Sequence, residues 1–220
     1  MPQGSIAKRF LGRYADGLTD AELLELLLHY TSEQPAALSK RLLSHYQNIA
    51  NLMEANTQDL LAFEGLDGET VTLLRLVPEL QRRYLIARSQ NEQYLKDSRA
   101  FGRYLLPYFY GARDEMVYLL CLDASCRVIC CRRLCEGNVN SASFSVRLLA
   151  QAALQANATS VVLAHNHPSG VFVPSTEDLC MTNHLRESLE PLDILLVDHI
   201  IIANENYTSM RECGYSPLFR

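Results

Sequence analysis

Apolar positions in the first third of the chain recur at intervals of three and four. Leu23, Leu24, Leu27 and Leu28 form one stripe, and Leu38, Leu42 and Leu43 form the next. That is the spacing of amphipathic helices. Thr19-Asp20-Ala21-Glu22 precedes the first stripe and reads as a capping box: the hydroxyl takes an orphan N–H, and the glutamate reaches back to the cap. A short basic helix is expected over Lys8–Tyr14. Pro35 marks a helix start, Asn48–Met53 forms another short helix, and Thr57 opens one more with Leu60 and Leu61 buried. After a turn over 63–68, a long helix is expected from Glu69 to Ala87. Residues 88–96 are polar and offer nothing to a core, which places a boundary between an all-α domain, 1–95, and a second domain, 96–220.

The pattern then changes. Ser98–Tyr110 carries Phe101, Leu105 and Phe109 on one helical stripe, closed by Gly111. Residues 115–122 are almost continuously apolar, as in a buried strand. Asp123-Ala124-Ser125 turns the chain into a second strand, Arg127–Leu134. Gly137 and Asn138 break it. Ser143 or Ser145 caps a helix containing Val146, Leu148, Leu149, Ala152, Ala153 and Leu154. A short buried strand over Thr159–Leu163, a helix from Ser175 to about Leu189, and strands near Asp193–Ala203 and Tyr207–Arg211 complete the domain. Helices alternating with partly antiparallel strands predict an α/β sandwich.

The chemistry-bearing residues cluster after the third strand. Ala164-His165-Asn166-His167-Pro168-Ser169-Gly170 is followed by Pro174-Ser175-Thr176-Glu177-Asp178. Side chains on a strand repeat with period two, so His165 and His167 point the same way. Imidazole nitrogen and carboxylate oxygen are zinc ligands, and three protein ligands plus a water is the coordination of a catalytic rather than a structural site. The expected ligands are His165, His167 and Asp178. Ser175, one helical turn before Asp178, faces the same place. Asn166 should point away from the two histidines.

This spacing resembles the JAMM motif of JAB/MPN metalloproteases. The wording His-Asn-His-Pro-Ser-Gly with Pro-Ser-x-x-Asp is more narrowly similar to the RadC family, and the resemblance continues through Asp198-His199-Ile200-Ile201-Ile202 and Tyr207–Gly214. In the first domain it is carried by Leu18–Leu24. The resemblance implies a JAB/MPN (cytidine-deaminase-like) α/β sandwich preceded by a small all-α, helix-hairpin-helix-like domain. It implies a Zn2+-dependent hydrolase, a peptidase or isopeptidase using a zinc-bound water, with a peptide or protein substrate. It also implies that the general base is a glutamate preceding a strand, the place held by Glu115. Glu136, at the end of the second strand, is the runner-up. Ser175 is either an oxyanion donor or a plain helix cap. Asp198-His199 reads as a pair supporting the metal ligands or as a buried, hydrogen-bonded histidine in an apolar run. The apolar Val171-Phe172-Val173 beside the motif is either core or a binding surface. Two other readings compete with the hydrolase: a DNA repair or recombination accessory, and a non-catalytic MPN scaffold. The intact motif argues against the scaffold.

Charge bears on the DNA reading. The chain has net charge −5, and residues 1–95 carry nine basic against twelve acidic residues, a balance of −3. Asp67 follows Leu66 in the turn where a helix-hairpin-helix would have its second glycine. A carboxylate there repels phosphate, and affinity for phosphate comes from Lys and Arg. DNA binding is therefore expected to be weak at most. No apolar run approaches the roughly 18 residues of a membrane span, and Met1–Ser5 does not open a signal peptide. A cytoplasmic protein with no membrane partner is expected. The seven cysteines include no CxxC pair and are expected to be free thiols, Cys130 and Cys131 facing opposite ways along a strand.

Overall fold

A computed structural model describes residues 5–12, 17–90, 93–136, 146–204 and 206–215, without the Ser5 and Glu136 side chains. The chain divides into two compact units, residues 1–81 and 82–220. The first is built from α1 (Ser5–Leu11), α2 (Asp20–Leu28), α3 (Pro35–Tyr46), α4 (Ile49–Glu54), α5 (Thr57–Ala62) and the greater part of α6 (Gly68–Ser89). The capping box at Thr19 is formed, with Glu22 bonding back to the cap. Asn48 and Asn56, both with side-chain bonds into the first turn, cap α4 and α5. Leu24, Leu28, Leu38, Leu42, Leu52, Leu60, Val71 and Leu74 make the core of this unit. Leu61 is exposed. In so short a helix only one face reaches the core, and Leu60 occupies it. The expected boundary at 95/96 falls after α6, which runs on to Ser89.

The second unit contains α7 (Ser98–Leu105), extended by a 3-10 turn over Leu106–Phe109, then β1 (Met116–Leu122), β2 (Val128–Glu136), α8 (Val146–Gln155), β3 (Ser160–Asn166), α9 (Thr176–Leu189), β4 (Leu195–Ala203) and β5 (Asn206–Ser209). The sheet order is β2-β1-β3-β4-β5. Only β3 and β4 are parallel, joined through α9. Phe101, Leu105 and Phe109 cover one face together with Tyr118, Leu120, Val162 and Ile200. Leu149, Ala152 and Ala153 of α8 and Leu185 and Leu189 of α9 cover the other, against Val117, Leu119, Val161 and Leu163. The α/β sandwich is therefore borne out, with β1 and β3 buried along their whole length. Leu148 and Leu154 lie on the outer side of α8 and are exposed. The cap expected at Ser143 or Ser145, and the break at Gly137 and Asn138, lie outside the described residues. Cys130 and Cys131 pack on opposite faces, as expected, and all seven cysteines are free.

One irregularity in the sheet matters for the site. Val161 pairs with Leu196 but Val162 pairs with Asp198, so Val197 is an extra residue in β4. A bulge of this kind re-aims the side chains that follow it. Leu196 packs on the α8/α9 face, and three residues later His199 returns to that face to meet Thr182 of α9. Without the bulge, an odd separation would send them to opposite faces. Asp198 instead accepts bonds from Ser209 Oγ at 2.7 Å, His199 N at 2.7 Å and Arg211 N at 3.2 Å, tying β5 to β4. Burial pushes its carboxyl upward despite these bonds and one with Ser98. Asp198→Ala would strand several buried donors at once, and should lower unfolding stability by about 1–3 kcal/mol. Urea denaturation measures it; an unchanged midpoint would mean that the carboxylate does not hold β5.

Candidate metal centre

β3 delivers the first histidine. His165 lies near its end, paired to Val117 of β1 on one side and Ile201 of β4 on the other. His167 lies just past the strand, where its N–H still bonds Ile202 O at 2.8 Å. The chain then turns, and Gly170 N bonds His167 O at 3.0 Å. Gly170 has φ +79°, and a side chain there would meet Asn204 at 2.6 Å. Positive φ and close approach together require glycine.

α9 delivers the carboxylate. Ser175 is its N-cap, and with Asp178 it forms a reciprocal capping box. Asp178 Oδ2 accepts from Ser175 N at 2.8 Å and from Ser175 Oγ at 2.6 Å, and Asp178 N donates to Ser175 Oγ at 3.1 Å. Asp178 is buried, with Oδ1 3.1 Å from His165 Nε2 and Oδ2 3.4 Å from His167 Nε2. The two Nε2 atoms are 2.8 Å apart. The three side chains offer ligand atoms within 4.8 Å of one another, the one group among the described residues able to hold a metal in this way. The sequence pattern therefore converges in space as expected.

Burial works to raise the Asp178 carboxyl, but hydrogen bonds with His165 and His167 outweigh it and hold it well below the usual carboxylate range. The hydrogen bond to Asp178 raises His167, against the opposing effect of burial. His167 Nδ1 lies 2.7 Å from Val171 O. A carbonyl only accepts, so Nδ1 carries the hydrogen and Nε2 keeps its lone pair for the centre.

His199 is fully buried behind His165, its Nε2 2.7 Å from His165 Nδ1. Burial, and then the charge of His165, hold it well below the usual histidine value, so it is neutral. His199 is thus the buried, hydrogen-bonded histidine that the sequence allows, and its partner is His165. Asp198 beside it turns to the other face. Thr182, the remaining member of this group, carried no signal in the sequence.

Asn166 points away from the histidines, as expected, and has a defined partner there. Its Oδ1 accepts from Met116 N at 2.7 Å, and its Nδ2 donates to Asp114 O at 3.1 Å. These are the peptide groups on either side of Glu115. Glu115 lines the same cleft as His165, His167, Ser175 and Asp178, in a volume of about 420 Å³ whose wall includes Val117, Val171, Val173 and Met181. Val171 and Val173 are more than half exposed. The Cα of Glu136 pairs with Met116; its side chain lies outside the described residues. His29, His45 and His184 are exposed, and none of them lines the cleft.

Comparison with known proteins agrees with this arrangement. The RadC-like JAB domain family matches residues 95–215. A UPF0758 protein of Pseudoalteromonas translucida is 34% identical, the alignment covering 94% of this chain and 93% of the relative. A UPF0758 protein of Saccharophagus degradans is 31% identical over 94% of each chain. One of Neisseria gonorrhoeae is 32% identical over 98% of this chain and 97% of its own. The chain belongs to the RadC-like JAB domain family, and the α/β sandwich described above is its JAB/MPN domain. No described helix is long and apolar enough to cross a membrane.

A metal here must displace the proton that Asp178 helps to hold on His167. A raised pKa keeps that proton bound to higher pH. Zinc affinity, measured by chelator competition, should therefore fall as pH drops, and the loss should begin above the ordinary histidine value of about 6.5. His165→Ala and His167→Ala should each abolish tight binding. If either binds zinc as the parent does, the ligand set is wrong.

Proposed function

We propose that this protein is a zinc-dependent metallohydrolase that cleaves a peptide or isopeptide bond. One observation carries the reading: two imidazole Nε2 atoms and a buried carboxylate converge on one point, and that point opens on a cleft that also holds Glu115. The donor set fits zinc. Two nitrogens and one oxygen are zinc ligands, three in number as in catalytic sites, with the cleft side left open. Zinc when bound supplies a Lewis acid that makes water a nucleophile at neutral pH and polarises a carbonyl.

The chain's own residues do the rest. Amide cleavage needs a group that accepts the proton of the attacking water and returns it to the departing amine. Glu115 takes this role because it lines the cleft from the residue just before β1, beside His165, His167 and Asp178. Asn166 holds the peptides before and after it, so the carboxylate starts from a fixed backbone. Ser175 keeps Asp178 in place through the capping box. As an oxyanion donor the same hydroxyl would have to release Asp178 Oδ2. Val171 and Val173 offer an apolar wall to a substrate side chain.

DNA is the less favoured partner. Asp67 Oδ1 accepts from Thr70 N at 2.8 Å, so a carboxylate occupies the helix N-terminus that a phosphate would use. That supports weak, non-specific contact at most.

The test is metal content followed by activity. Purified protein should carry one zinc per chain. Once a cleaved substrate is found in a peptide and isopeptide screen, Glu115→Gln should keep its zinc and lose turnover by about 10²- to 10⁴-fold. Glu136→Gln should cost far less. Normal turnover by Glu115→Gln, with Glu136→Gln dead and zinc-loaded, would reassign the base. Activity in both would end the carboxylate-base mechanism.

A further inference from the structure

We propose that Thr182 and His199 form a proton-ordered relay that sets the tautomer of His165, making both positioning residues for the metal centre. The proposal rests on the metal-binding reading above, although half of its test does not. Three short contacts run in series: Thr182 Oγ1 to Asp178 O, 2.6 Å; Thr182 Oγ1 to His199 Nδ1, 2.6 Å; His199 Nε2 to His165 Nδ1, 2.7 Å.

The direction of the series follows from its first member. A backbone carbonyl only accepts, so Thr182 spends its single proton on Asp178 O. Its hydroxyl oxygen is then an acceptor toward His199, and His199 Nδ1 must carry the hydrogen. A neutral imidazole has one N–H, so His199 Nε2 is an acceptor. His165 Nδ1 must then be the donor, which leaves Nε2, facing His167 and Asp178, as the atom that shares a hydrogen with Asp178 or gives it up to a metal. The opposite order fails at its start. If Thr182 donated to His199, two acceptor oxygens would meet at 2.6 Å with no hydrogen between them.

Burial makes this ordering binding. Thr182 is 1% exposed and His199 0%, so water cannot satisfy a reversed arrangement. The relay also closes on itself. Asp178 contributes its carboxylate to the centre and its carbonyl to the start of the relay, while His165 stands at the other end of both. A single turn of α9 separates Asp178 from Thr182, and the bulge at Val197 aims His199 into the gap. Partners of this kind fix ring orientation and raise ligand basicity, and losing one typically costs 10- to 100-fold in metal affinity.

Two measurements test the relay in the full chain. Long-range ¹H–¹⁵N correlation of the imidazoles in zinc-free protein should show His199 as the Nδ1–H tautomer and a hydrogen on His165 Nδ1. A His165 Nδ1 without a hydrogen overturns the proposal, whether or not zinc binds. Chelator competition with zinc should then find Thr182→Val weakened about 10- to 100-fold, and Thr182→Ser restored to within a few-fold of the parent. Equal affinity in folded Thr182→Val also overturns it. If the parent itself binds no zinc, the metal reading fails, and the tautomer spectrum still decides the relay. If Thr182→Val does not fold, that spectrum decides it as well.

Discussion

The N-terminus of α9 is where the fold and the chemistry become one constraint. Asp178 is a buried carboxylate, and burial alone would favour its neutral form. The capping box answers this by giving Oδ2 two donors from Ser175. The partial positive charge of the helix start adds to that, and two imidazoles face the remaining edge. Starting the helix and presenting an ionised carboxylate to His165 and His167 are therefore the same event. If α9 began one residue later, the carboxylate would rotate about 100° around the helix axis and leave the histidines.

The histidines are held with comparable economy. Each uses its far nitrogen on a buried or backbone partner and turns Nε2 inward: His165 toward His199, His167 toward Val171 O. Neither relies on solvent to choose its orientation. The cleft is thus organised from behind, by β4, α9 and the 167–171 turn, while its front remains open beside Glu115 and the two exposed valines.

Much of this was legible in the sequence, for local reasons. The period of two along β3 announces that His165 and His167 share a face, and the Ser-x-x-Asp spacing is one helical turn. The apolar runs of β1 and β3 and the stripe of Phe101, Leu105 and Phe109 read directly as buried elements. What stayed illegible is non-local. For Asp198-His199 the sequence leaves two readings open, support for the metal ligands or a buried histidine, because a bulge at Val197 has no signature in sequence. Thr182 looked like any helical threonine, since its partners come from a different element. Leu61, Leu148 and Leu154 are apolar, yet a helix against a core has only one inner face, and composition does not say which apolar residues find it.

Asn166 shows why the spacing of the motif has a second meaning. Between two residues that face the candidate centre, period two forces the middle side chain to the opposite side of the strand. There β1 is the antiparallel neighbour, in register so that Val117 lies opposite His165. The Asn166 amide therefore meets the peptides flanking Glu115, as an acceptor to one and a donor to the other. Only a side chain with both groups at that length serves both peptides. Aspartate would present two acceptors, one of them toward a carbonyl. Three consecutive residues thus divide the work, the outer two reaching the candidate metal centre and the middle one setting the backbone from which Glu115 projects. The backbone of Glu115 is then placed relative to the two histidines by a single strand pairing and the Asn166 amide.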